Sequence, residues 1–222
     1  MGWVEFIVAF AAFFLTHSVP IRPPIKPWLV AQLGPAGFGF AYSALSLGVL
    51  AWLIGAARRA PQVPLWSWAS WQGYLALAVM LVVCLILALS IARPNPFSFG
   101  GAHNDRFDPA RPGIIRLTRH PLLLSLALWA GVHMLANGGL AHVLLFGAFA
   151  GFAAAGMRVI DRRKQREMPG VWHRLEAGRK HGAWLPRRED RAQVALHLAL
   201  GAGLYTALLL AHPWLFGVNP IP

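Results

Sequence analysis

Cysteine, acidic residues and charge in general are scarce in this chain. A single cysteine, Cys84, stands inside an apolar run. That excludes an internal disulfide, and it leaves no Cys-x-x-Cys for zinc and no Cys-x-x-Cys-His for covalently attached haem. Only 13% of the residues are charged, against about a quarter in an ordinary soluble domain. There is no His-Glu-x-x-His and no Gly-x-x-x-x-Gly-Lys-Ser/Thr, so a zinc protease and a phosphate-loop nucleotidase are unsupported. The Gly-x-Gly patches at Gly37–Gly39 and Gly201–Gly203 lie in or beside apolar runs and follow no strand, so they are not a dinucleotide fingerprint.

What is present is hydrophobic length. Of the 222 residues 57% are hydrophobic, and they gather into six runs of near-membrane length: Trp3–Ser18, Phe38–Ala57, Gly73–Ala92, Pro121–Asn137, Leu140–Ile160 and Val194–Trp214. The first and fourth are short. No run alternates as a barrel strand would, and only helices or closed barrels cross lipid. The expected fold is therefore all-α: a polytopic bundle of about six transmembrane helices forming one domain over residues 1–222. The first run has no basic residue before it, so it is expected to be a retained span rather than a cleaved signal.

Charge sets the expected orientation. Alternate connections carry eighteen Lys and Arg against two, which places the basic connections in the cytoplasm and both termini on the other side. Arg58-Arg59 is the dissent. Ser18–Leu33 holds four prolines and is expected to leave the membrane extended. Pro61–Trp71 carries Trp66, Trp68 and Trp71, which suit the outer interface. Arg93–Gly113 is a long irregular connection, of a kind that is functional or disordered. The basic segment 161–191 accounts for much of the net charge of +12. Its position beside the membrane explains that charge, so anionic lipid rather than nucleic acid is the expected partner. Gly147, Gly151 and Gly156 suit close helix packing within the bundle.

Chemistry centres on Arg116-Leu-Thr-Arg-His-Pro121 and the helix it opens, which ends at Asn137-Gly-Gly. Histidines are the main ionisable groups in the spans, where such residues are functional candidates. His17 and His120 fall towards the inner ends of their spans, and His133, His142 and His212 towards the outer ends. Two constellations follow. One is a histidine pair holding a b-type haem between helices. The other is an anion site formed by Arg116, Arg119 and His120 at a helix N-terminus. Against these stand an interfacial charge anchor for the arginines and a helix-to-helix hydrogen bond for His133.

From His17 to about Trp184 the chain resembles the NnrU family of membrane proteins. The resemblance rests on Thr16-His17-Ser18, Leu33-Gly34, Tyr42-Ser43, Pro94-Asn95-Pro96, Gly113-Ile-Ile-Arg116-Leu-Thr118-Arg119-His120-Pro121, Trp129 with Ala130-Gly131-Val132-His133, Asn137-Gly138 and Asp161-Arg162-Arg163. It implies a protein of the bacterial inner membrane associated with nitrite and nitric oxide metabolism. The family's carotenoid-isomerase relatives use haem b, and carried over, their proposed iron ligands are His17 and His133. An alternative cysteine ligand of those relatives falls at Ala130. His120 and His133 are thirteen residues apart, about 20 Å along a helix, so His17 with His120 is the other pair. Redox-linked action on a lipophilic substrate, such as isomerisation of a polyene, is the activity implied. The Arg-His-Pro piece also resembles isoprenylcysteine carboxyl methyltransferases, although their paired glutamates are absent here. A non-enzymatic assembly factor is the third expectation.

Overall fold

The computed structural model describes residues 2–222, and among them every regular element is helical. Seven α-helices follow one another: α1 (Gly2–Ser18), α2 (Ile25–Arg59), α3 (Ser70–Ser90), α4 (Pro121–Ala136), α5 (Leu140–Glu167), α6 (Trp172–His181) and α7 (Arg191–Phe216). Four of them, α2, α3, α5 and α7, are long and apolar enough to cross a membrane. The other two expected spans, α1 and α4, are apolar helices of 17 and 16 residues, or about 25 Å each. The chain is thus a membrane protein by helix length and composition.

The residues group into two compact units, 1–66 with 138–145, and 67–137 with 146–222. In the first, α1 packs on α2. Phe6, Ala9 and Phe13 are buried along one face of α1, and the Tyr42 hydroxyl donates to the His17 carbonyl at 3.1 Å. Arg59 donates through Nε to Glu5 at 3.2 Å, so one member of the dissenting arginine pair is neutralised. Residues 63–65 bond to 138–140: Leu65 N–H donates to the Gly138 carbonyl at 2.7 Å and Leu140 N–H to the Val63 carbonyl at 2.8 Å.

The Pro-rich connection departs from expectation. The helix starts at Ile25, not after Leu33. Pro27 lies in its first turn, where a missing N–H leaves no bond unmade. The break comes later, at Gly34 (φ 72°, ψ 164°) just before Pro35, and divides α2 into two helical stretches.

In the second unit α3 packs against both α4 and α7. At Gly201 the α3 and α7 backbones close up: a Cβ there would stand 3.1 Å from the Cys84 carbonyl oxygen. Between helices in lipid, such close approach replaces the hydrophobic drive that water would supply. Gly147 and Gly156 of α5 lie against Met134 and Leu123 of α4, while Gly151 meets open space.

The long connection before α4 and the basic segment are both folded. Residues 93–120 carry two short 3-10 turns, Asn104–Arg106 and Gly113–Arg116. They enclose a small core of Phe97, Ile115 and Trp172, with Met168 and Leu175 packed on it. The Phe97 ring stands edge-on to Trp172 at 5.2 Å. The basic segment is therefore part of a polar cap built with this connection, with α6 docked onto it.

Candidate functional site at the two ends of α4

Helix α4 carries chemistry at both ends. At its start, His120 is the N-cap residue and Pro121 the first helical one. His120 is 3% exposed and its ring is bonded at both nitrogens: Nε2 to Asp161 Oδ1 at 2.9 Å and Nδ1 to the Ser98 hydroxyl at 3.0 Å. A carboxylate can only accept, so Nε2 carries a proton and Nδ1 can take the Ser98 O–H. Asp161, at the polar end of α5, also receives a fork from Arg119, Nε to Oδ1 at 2.9 Å and Nη2 to Oδ2 at 2.6 Å. The third Arg119 nitrogen donates to Glu176 of α6 at 2.7 Å.

Glu176 in turn holds Arg179 through two bonds of 2.6 and 2.9 Å. Arg179 is 6% exposed and donates onward to the carbonyls of Ile115 and Arg116. Asn95 Nδ2 donates to the Arg119 carbonyl at 3.0 Å, and its Oδ1 takes the Phe97 N–H. Two guanidiniums thus meet two carboxylates and an imidazole, so the cluster is close to neutral. Burial works against the ionisation of Glu176. The hydrogen bonds from Arg179 and the charges of Arg119, Arg179 and Lys180 outweigh it and hold the carboxyl below its ordinary range.

This geometry differs from the expected anion site. Arg119 has all three guanidinium nitrogens on protein carboxylates. Arg116 donates to the Gly182 carbonyl and lies 4.3 Å over the Trp184 ring. Whereas Arg116 has no carboxylate partner and its buried Nε has no hydrogen-bond partner, the Arg119 charge is already met by Asp161 and Glu176. His120 likewise has no free lone pair for iron while both its nitrogens are so bonded.

The far end of α4 is apolar. There His133 Nδ1 donates to the Trp129 carbonyl at 2.8 Å, and its ring packs on Trp129 and Phe146. Fixing the proton on Nδ1 leaves Nε2 as the lone-pair nitrogen. His133 lines a cavity of about 80 Å³ together with Met80 and Cys84 of α3, Tyr205 and His212 of α7, and Pro220. The α7 members Tyr205, Leu208, Leu209 and His212 share one helical face. The chain after α7 turns back over this end: Gly217 takes the left-handed conformation (φ 68°), and the Val218 carbonyl accepts His212 Nδ1–H at 2.8 Å. Pro222 then lies against α3, where a Cβ on Gly73 would come within 2.5 Å of it.

His17 belongs to the other unit, and its Nδ1 donates to the Phe13 carbonyl at 2.9 Å. His197 makes the same bond to the Gln193 carbonyl, so this arrangement does not by itself mark an iron ligand. Among the described residues no three His, Cys, Asp or Glu side chains gather into a metal cage.

The model of one family, described as NnrU protein, matches residues 5–220. The chain belongs to the NnrU family. Neither curated proteins nor solved structures give a match to it. In this NnrU protein three separated pieces, Pro94-Asn95-Pro96, Thr118-Arg119-His120-Pro121 and Asp161-Arg162-Arg163, meet in one cluster through Asn95, Arg119, His120 and Asp161. Sequence reasoning missed Ser98, Glu176 and Arg179 in that cluster. Glu176 had one signal: it is among the few acids in a strongly basic segment. Tyr205 was also missed, although it stands seven residues before His212, on the same helical face.

Proposed function

We propose that this NnrU-family membrane protein binds a neutral lipophilic molecule in the cavity at the far end of α4. One observation carries the reading: an apolar cavity among three apolar helices into which His133 brings an imidazole whose Nδ1 proton is already committed to the Trp129 carbonyl. Nε2 is then left to meet a ligand. The lining contains no Lys or Arg, so a small anion such as nitrite finds no counter-charge there. A molecule dissolved in the bilayer reaches such a site without crossing water. The cluster at the other end of α4 holds the helix and the polar cap together.

The test is native mass spectrometry of protein released from nanodiscs, with Ala76→Trp to fill the cavity. The expectation is a small apolar adduct on the wild type that the filled variant loses. An adduct unaffected by Ala76→Trp would defeat the assignment to this cavity.

A haem b reading is supported by the donor chemistry alone: His17 and His133 each offer an imidazole with Nδ1–H on a carbonyl, the arrangement suited to ligating iron through Nε2. The macrocycle itself does not fit the His133 cavity of about 80 Å³, because roughly 150 Å³ is what takes up a single benzene ring and haem carries four pyrrole rings. Absorption spectra after haem-replete expression test the reading: a Soret band lost in His17→Ala and His133→Ala would restore it, and a wild type without the band would end it.

A further inference from the structure

We infer that the ligand of this cavity is a lipid whose slender neutral head carries two free hydroxyls, of the monoacylglycerol type; this rests on the cavity reading above. Three polar groups line otherwise apolar walls: His133, His212 and Tyr205. Both imidazoles have Nδ1–H tied to a carbonyl, of Trp129 and of Val218. In the neutral rings their Nε2 atoms are therefore acceptors. The Tyr205 hydroxyl adds one group that gives or takes a hydrogen bond.

Two fixed acceptors select a ligand with two donors. Carbonyl-only heads, such as esters and quinones, would set lone pair against lone pair. A cationic ammonium head would supply donors, but no Asp or Glu lines the walls to balance its charge. A neutral diol satisfies both imidazoles and carries no charge. Size then narrows the class. The volume is about 80 Å³. A cavity of roughly 150 Å³ is what takes up a benzene ring, so an aromatic diol is too wide and an aliphatic one is not. Position agrees as well: His133 and His212 stand near the ends of α4 and α7, beside the returning chain at Pro220, where a lipid head would lie with its tail in the bilayer.

The experiment uses the full chain in phosphatidylcholine nanodiscs, whose lipid has no hydrogen-bond donor. Binding of 1-monooleoylglycerol is compared with that of its dimethyl ether, which keeps the tail, loses both donors and adds two methyl groups. The diol should bind wild type at least tenfold more tightly than the ether, about one hydrogen bond's worth. His133→Phe and His212→Phe should each reduce that preference; a preference that survives both substitutions comes from the added methyl groups and would overturn the donor assignment. Equal binding of diol and ether would overturn the donor assignment and leave the cavity reading standing. Absence of binding by either would remove both. Tighter binding of phosphatidylglycerol, which carries the same diol behind a phosphate, would overturn the neutral-head assignment.

Discussion

His120 Nε2 lies 2.9 Å from Asp161 Oδ1, joining the N-cap residue of one helix to the polar end of the next across 41 positions of sequence. The same carboxylate takes the Arg119 fork. Asp161→Asn keeps the shape and removes the charge, leaving Arg119 with an amide where it had an anion. The expected loss is about 2–3 kcal/mol, the range for hydrogen bonds to charged groups that are mostly buried. A double-mutant cycle of Arg119→Ala and Asp161→Ala, read by unfolding in mild detergent, should show strong coupling. Additive losses would mean that the fork contributes nothing.

Acid should loosen the polar cap through Glu176. Its folded carboxyl titrates below the ordinary 4.5, whereas in the unfolded chain it takes up its proton near that value. The stability it contributes is complete above about 4.5 and is lost as the pH falls through the lower folded value. Glu176→Gln should be less stable than wild type at neutral pH and should flatten the acid limb of a stability–pH curve. An unchanged acid limb in that variant would remove Glu176 from the account.

Trp172 is 4% exposed and joins α6 to Phe97 and Ile115. Unlike the spans, this cap is built from polar stretches, where burial of an aromatic ring is driven by water. Trp172→Ala is expected to cost about 3–5 kcal/mol locally. Hydrogen exchange should then rise across residues 93–120 and 172–181 while α3 and α7 keep their protection. Loss of protection throughout the chain would mean that the cap and the spans unfold together.

The helices were readable because length and apolarity in one continuous stretch decide them. The cap was not, because its core joins Phe97 to Trp172 across 75 positions, and no local period announces such a contact. Arg119 and His120 were legible as a charged foot, yet their partners decide what the foot does. A carboxylate in a basic run looks solvated until Asp161 and Glu176 are seen facing guanidiniums. At the other end of α4, His133 was legible as an intramembrane histidine, but the tautomer that makes it an acceptor depends on the Trp129 carbonyl one turn earlier. The prolines before α2 misled for a simpler reason. Proline excludes helix interiors, not first turns, and Pro27 occupies a first turn.

Gly34 offers the cleanest separation of backbone strain from packing. Its φ of 72° and ψ of 164° lie in a region that glycine alone visits readily. A Cβ added there meets nothing within 4 Å. Gly34→Ala therefore introduces no clash with a neighbouring side chain, and any destabilisation must come from the conformation itself. The expected loss is about 1–3 kcal/mol. Gly39, in the same helix, also meets nothing within 4 Å but has no left-handed φ. Gly39→Ala should be neutral or slightly stabilising, since alanine favours a helix by up to about 1 kcal/mol over glycine. Unfolding both variants in the same detergent compares them directly. Similar behaviour of the two would mean that α2 runs straight through residue 34 and that the break has no hold on the chain.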